Sequence, residues 1–257
     1  LQKYHLDFAS LSAINPKLIY CSITGFGQDG PYAQRAGYDF LLQGMGGLMS
    51  VTGQPDHLPG GGPQKVGVAL TDIMTGMYAT TAIQAAIIER EKSGLGQHID
   101  LALLDVQVAC LANQGMNYLV SQDIPKRMGN AHPNIVPYQT FQTADGFIIL
   151  TVGNDSQFAD FCEVAECQAL IQDPRFTTNQ ARVRNREIVI ETLAEIIKAK
   201  SSDVWLQQLE IKGVPCGPIN DIAQVFDNPQ VKHRNMLGEL NHPENGKGMS
   251  FRAKAPF

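Results

Sequence analysis

The chain has 257 residues, enough for one large domain or two modest ones. Hydrophobic residues make up 44% and charged residues 18%, the balance of a folded globular protein rather than a disordered one. A net charge of −5 leaves no electrostatic footprint for nucleic acid, and no apolar run approaches the ~20 residues that span a bilayer, so neither a nucleic-acid nor a membrane partner is expected.

In chain order, "PKLIYCSI" (16–23) is an apolar, β-branched run after a proline and predicts a strand. "YDFLLQGMGGLM" has apolar residues at helical spacing, and residues 52–65, dense in Gly and Pro, predict a loop. A helix follows over 73–92, stopped by Ser93-Gly94. A strand near 97–101 passes into a helix from Leu103, so the succession predicts an α/β layer with parallel pairing. Beyond it, "GFIILTV" (146–152) reads as a strand, and helices are expected over 155–165, 186–199 and 203–212. "GVPCGPI" reads as an extended turn, and Asn220 as the cap of a short helix reaching Phe226. Strand-like pieces lie near 237–241 and 248–252. A boundary is placed near residue 130, giving a large domain over 1–130, a smaller α/β domain over 131–235 and a closing segment over 236–257. Leu1 and the closing "FRAKAPF" carry no boundary signals, so both ends read as interior to a longer protein.

Five cysteines (Cys21, Cys110, Cys162, Cys167, Cys216) show no CxxC or metal-finger spacing, and the histidines lack the i, i+4 pairing of a zinc helix; no metal site is expected. An odd cysteine count with no leader-like stretch predicts a reducing compartment, the cytoplasm or a mitochondrial matrix. Arg182, Arg184 and Arg186, beside Glu187 and Glu191, read as a solvated helix face. His132, in the turn-rich "GNAHPN", reads as a surface or hydrogen-bonding residue.

Gly25-x-Gly27-x-x-Gly30 after a strand matches the dinucleotide fingerprint, yet Pro31 and Gly37 oppose the helix that must follow it, so a tight strand-end loop is expected. No Ser stands in a G-x-S-x-G elbow. In "GVALTDIMTGMYATTAIQAAIIERE" (67–91) Asp72 is the single acid before Glu89. It reads either as the N-cap of the helix or as a nucleophile at its mouth. Gly76 and Ala79 narrow the first turns, and the glycines at 44–47 and 60–62 offer unobstructed N–H groups for an oxyanion.

At "LIYCSITGFGQDGPY", "AGYDFLLQGMGGLMSVTG", "ALTDIMTGMYATTAI", "GLGQHIDLALLD", "RMGNAHPNIVPYQTFQTADGFIIL" and "GVPCGPINDI" the chain resembles the family III CoA-transferases, the formyl-CoA and carnitine-CoA transferase group (CaiB/BaiF-like), over essentially its whole length. The resemblance puts the family's catalytic aspartate on Asp72, a CoA-contacting segment on Ala36, Gly37, Tyr38 and Asp39, and substrate-loop glycine segments on Gly46-Gly47 and Gly129-Asn130. It implies a Rossmann-like CoA-binding large domain with a smaller α/β domain, two chains interlocked as a homodimer, and no tightly bound cofactor. Coenzyme A enters as an acyl-CoA thioester substrate, with a small carboxylic acid, succinate or glutarate in type, as acceptor. The aspartate of such enzymes forms a mixed anhydride and then an enzyme–CoA thioester. Much of the CoA site is expected from the family's N-terminal part, which precedes the residues matched here. The same superfamily holds α-methylacyl-CoA racemases, which carry a histidine where this chain has Tyr38; a phenol is a far weaker proton donor than an imidazolium. A racemase-type proton transfer and a non-catalytic CoA-binding module stand as the alternatives. Arg127 reads either as a partner for a distal carboxylate or as a solvated arginine at a linker.

Overall fold

In the computed structural model, which describes residues 1–240 and 249–253, two units follow one another, Leu1–Asn130 and Ala131–Phe257. The first opens with α1 (Phe8–Ile14), capped by the Asp7 carboxylate, which accepts the Ser10 N–H at 3.1 Å. β1 (Tyr20–Thr24) occupies the end of the apolar run; Pro16, without an N–H, stays outside the ladder. No helix follows β1 at once, so the glycine fingerprint opens no dinucleotide fold. Gly25 instead lies against Gly37, close enough that a Cβ on Gly25 would stand 2.6 Å from the Gly37 Cα.

Then come α2 (Asp39–Met45), α3 (Leu48–Val51) and α4 (Leu70–Ser93). α4 stops where Gly94 takes φ 75° and donates its N–H to the Arg90 carbonyl, the ending its sequence predicts. β2 (His98–Ala102) pairs in parallel with β1, from Tyr20 opposite His98 to Thr24 opposite Ala102. The expected helix from Leu103 is two helices, α5 (Leu103–Ala109) and α6 (Ala112–Ser121), because Ala112 adopts a positive φ of 45° and breaks the run.

α2, α4 and α5 pack on one another. The buried residues of α4 are small: Thr71, Thr75, Ala79 and Ala86, mostly four apart, so one narrow stripe faces inward. Of its large apolar side chains, Ile73, Met77, Tyr78, Ile87 and Ile88 are exposed and Leu70, Met74 and Ile83 half-buried.

The second unit is built on an antiparallel sheet, β3 (Tyr138–Gln142), β4 (Phe147–Thr151) and β5 (Cys216–Pro218), in that spatial order. Along β4, Ile148 and Leu150 are buried while Phe147 and Ile149 are exposed, the alternation of a sheet with one covered face. The helices α7 (Asp155–Val164), α8 (Asn179–Arg184), α9 (Arg186–Ile197) and α10 (Ser202–Lys212) surround the core with the connecting residues Val136, Phe176 and Val214. Trp205 is fully buried, stacks on Phe161 and donates Nε1–H to the Ile197 carbonyl at 2.7 Å. α11 (Ile222–Asp227) and α12 (Pro229–His233) follow, and β6 (Leu237–Leu240) pairs antiparallel with β7 (Met249–Ala253). The remainder of the expected closing segment 236–257 lies outside the described residues.

Three expectations need correction. "GVPCGPI" contributes β5 rather than a turn, because the Cys216–Pro218 backbone completes the ladder beside β4. The cap of α11 is Asp221, not Asn220: its carboxylate accepts the Gln224 N–H at 2.8 Å while Gln224 accepts the Asp221 N–H. Arg182 is no solvated arginine. It is fully buried, donating to the carbonyls of Val136 at 2.7 Å and Phe176 at 2.8 Å and to Asp155. Arg186 is held by the His132 and Pro133 carbonyls at 2.9 and 2.7 Å.

Candidate active site at the head of helix α4

α4 begins at Leu70, which makes Asp72 its third residue and Ala69 its cap position. The reading of Asp72 as the N-cap is therefore corrected. Ala69 has no side-chain acceptor; the Leu70 N–H turns back to the Val68 carbonyl at 2.8 Å, but the Thr71 N–H finds no acceptor on its own segment. The Asp72 carboxylate is left exposed in the first turn, at the electropositive end of a 24-residue helix.

The missing acceptor comes from α2. Asp39 Oδ1 accepts the Thr71 N–H at 2.8 Å, across 32 residues of chain. Asp39 Oδ2 accepts from Gln43 Nε2 at 2.7 Å. Gln43, one turn further along α2 and fully buried, also accepts the Val66 N–H at 2.9 Å and donates to the Val68 carbonyl at 3.3 Å. The segment entering α4 is thus tied to α2 at Val66, Val68 and Thr71. From the other side, Thr71 Oγ1 donates to Gln107 Oε1 on α5 at 2.7 Å, with both residues buried.

Gly46 is required where α2 meets α5. A Cβ there would stand 2.3 Å from Gln107 Cγ and 2.7 Å from the Leu42 carbonyl oxygen. Gly47, at φ 86°, precedes α3, accepts a hydrogen bond from Ser50 Oγ at 2.7 Å and lines an apolar recess of about 320 Å³ with Leu111, Tyr118 and Ile124. Gly46 is therefore linked to the head of α4 through Gln107 and Thr71, and Asp39 is linked to it directly.

Ahead of Asp39, Ala36 is exposed, Gly37 meets Gly25, and Tyr38 is 76% exposed at the cap position of α2. Gly129 and Asn130 belong to a second cluster, a polar recess of about 270 Å³ lined with Thr52, Gly53, Gln54 and Gln64. The Gly129 N–H donates to the Gly53 carbonyl at 3.0 Å. Arg127 is not available to a distal carboxylate: its guanidinium pairs with Asp56 and donates to the Ser50 carbonyl at 3.1 Å, and its side chain is 13% exposed. It ties the Gly- and Pro-rich loop to α3, which overturns the solvated reading as well.

Thr71, Gln43 and Gln107 carry no charge, and nothing in their local pattern marks them as functional, so sequence reasoning passes over them. The one local signal is the four-residue spacing of Asp39 and Gln43 on α2. Among the described residues, no cluster of three or more His, Cys, Asp or Glu side chains is placed to hold a metal ion, and no helix is long and apolar enough to cross a membrane.

Fold and site together define a mixed α/β protein that presents one exposed carboxylate from a helix end anchored on two neighbours. The chain belongs to CoA-transferase family III, whose family model matches residues 1–256. It is 54% identical over 241 residues to the succinate–glutarate CoA-transferase of Agrobacterium fabrum, covering 93% of this chain and 59% of that relative. It is 46% identical over 242 residues to the succinyl-CoA:glutarate CoA-transferase of Homo sapiens, covering 94% and 54%. Among solved structures it matches a CaiB/BaiF family protein from Brucella suis with a TM-score of 0.77 and 55% identity, over 92% of this chain and 62% of that one. The chain spans little more than half the length of the two curated relatives.

Proposed function

We propose that the full-length protein transfers CoA from an acyl-CoA donor to a carboxylic acid, with Asp72 as the nucleophile. An Asp72 oxygen attacks the thioester carbonyl and the C–S bond breaks, giving an aspartyl–acyl mixed anhydride and CoA thiolate. The thiolate attacks the aspartyl carbonyl, releasing the donor's carboxylate and leaving an aspartyl–CoA thioester. The acceptor carboxylate then attacks that thioester, expelling CoA thiolate. The thiolate takes the acceptor's acyl group from the new anhydride and restores the Asp72 carboxylate. No proton or electron is gained or lost over the cycle.

The observation that carries this reading is the exposed Asp72 carboxylate on a first turn tied down on two sides. The hydrogen bonds that hold the adjoining Thr71 support a defined attack geometry. The stretch from Ala36 through Gly37 and Tyr38 to the backbone of Asp39 is assigned to CoA contact, the Asp39 carboxylate itself being turned onto Thr71 and Gln43; Gly46, Gly47, Gly129 and Asn130 are assigned to segments that line or cover the intermediates. Succinyl-CoA as donor and a dicarboxylate such as glutarate as acceptor follow from the names borne by the two curated relatives. Tyr38 in place of a histidine favours transfer over racemisation. A Rossmann-like CoA domain and a homodimer are part of the proposal; the exposed apolar side chains of α4 support further burial of that face. Five free thiols support a reducing compartment, cytoplasm or mitochondrial matrix.

The test is to incubate full-length protein in deuterated water with succinyl-CoA, a 2-methyl-branched acyl-CoA and a panel of mono- and dicarboxylic acids, reading all thioesters by mass. New acyl-CoA species that vanish in Asp72→Asn are the expected result. A one-unit mass gain on the branched thioester without new species would instead establish a racemase.

A further inference from the structure

We propose that Asp39 is a positioning residue for Asp72, acting through the first turn of α4; this rests on the transferase reading above. Asp39 is the first residue of α2, so its carboxylate already sits at the positive end of its own helix. From there it accepts from the second residue of α4 and serves as the acceptor that Ala69 lacks. One carboxylate thus stands at two helix starts, with Oδ1 on Thr71 and Oδ2 on Gln43.

Both oxygens are directed to protein donors, so the carboxylate is engaged inward while the neighbouring Tyr38 side chain remains exposed. Thr71 is joined to Asp72 by a single peptide unit, and any fraying or rotation of that turn displaces the Asp72 carboxylate directly. Thr71 is pinned a second time by Gln107, whose buried Nε2 meets no acceptor among the described residues. A glutamine kept in the interior with one donor unpaired is there for its other end, the oxygen that receives Thr71. The same glutamine occupies the space that Gly46 leaves open. Asp39, Gln43, Gln107 and Gly46 form one bracket around a single turn. A nucleophile needs that kind of support, because misplacement by about 1 Å can cost about 100-fold in rate.

The proposal separates from a direct CoA contact in steady-state kinetics of the full-length protein, with kcat and KM measured for both acyl-CoA and acceptor acid. Asp39→Ala is expected to lower kcat by about 10- to 100-fold with KM for the thioester within about twofold. Asp39→Asn keeps an oxygen for the Thr71 N–H and is expected to recover part of that loss. Gln107→Met, close in shape, is expected to lower kcat about 5-fold without moving KM. Thermal melting confirms that each variant is folded at the assay temperature. If Asp39→Ala is not, Asp39→Asn and Gln107→Met carry the test, and wild-type kcat in both would overturn the proposal. A raised KM for the thioester with kcat kept would also overturn it and return Asp39 to the CoA site. Asp72→Asn runs in parallel. Activity surviving there overturns the nucleophile reading itself, whereas an inactive Asp72→Asn beside fully active Asp39 and Gln107 variants overturns the positioning role alone.

Discussion

Arg182 Nη2 and Asp155 Oδ1 meet at 2.8 Å, with the arginine side chain fully buried and the aspartate 52% exposed. The same Asp155 oxygen accepts the Asn179 N–H at 2.7 Å, so two donors of α8 share one acceptor on α7. Arg182 also lies over the Phe158 ring, 4.4 Å from its centre, and satisfies two carbonyls that no water reaches. Arg182→Ala removes all of this and leaves a void and two orphaned acceptors, an expected loss of about 3–4 kcal/mol. Asp155→Ala strands a buried cation and is expected to cost about 3 kcal/mol. The double variant is expected to lose less than the sum by more than about 1 kcal/mol. Urea denaturation followed by Trp205, the single tryptophan, reads all three.

Gly46→Ala tests the packing of α2 against α5. Its methyl would meet both a side chain and a backbone oxygen, and the oxygen belongs to α2 itself, so only Gln107 can yield. An overpacking cost of about 1–3 kcal/mol is expected, together with lost activity as Gln107 leaves Thr71. Pairing it with Gln107→Ala removes the Cγ contact but keeps the Gln107 Cβ at 2.9 Å, so part of the stability and none of the activity is expected to return, measured by thermal melting and thioester mass analysis.

Asp72→Asn should separate function from fold. The side chain is exposed and α4 is anchored through its neighbour, so the change in unfolding free energy is expected to stay within about 0.5 kcal/mol. CoA transfer is expected to disappear. A large loss of stability in this variant would show that the carboxylate serves the fold.

His132 sets an expectation for pH. Burial, and then the charge of Arg186, hold its imidazole below the ordinary 6.5, and Nδ1 accepts the Asn134 N–H at 3.1 Å. The folded state therefore resists a proton that the unfolded chain accepts. This contribution is complete above pH 6.5 and is lost as pH falls through the lower folded value. His132→Asn is expected to flatten the decline of the urea midpoint in that acid range, leaving the midpoint's pH dependence above neutrality unchanged.

Helix ends were the most legible features because their causes are local. Gly94 and Gly213 both end helices in the left-handed region, and each is visible as a glycine after a periodic run. β3 is harder to see, since its residues follow a Val136-Pro137 step that interrupts the alternation. The three clustered arginines mislead because composition cannot say which one turns inward; Arg182 does so to reach carbonyls contributed by distant segments. Asp72 stands out in the sequence as a lone acid in a run of small and apolar residues, but its surroundings do not. A cap delivered from Asp39 leaves no trace in the spacing around residue 70, where a reader of local pattern assigns the nearest acid instead.

The contact of Gly25 with Gly37 makes residues 26–36 a detour closed at its neck. Within it Phe26 meets Tyr32 edge-on and the Arg35 guanidinium lies over both rings, so the excursion packs on its own side chains, in the manner of an Ω-loop. Chain can be added to or removed from such a detour at small entropic cost while its two ends stay together. Tyr38 and Asp39 begin directly beyond the neck. The bracket on Asp72 is thereby insulated from changes of chain length just upstream.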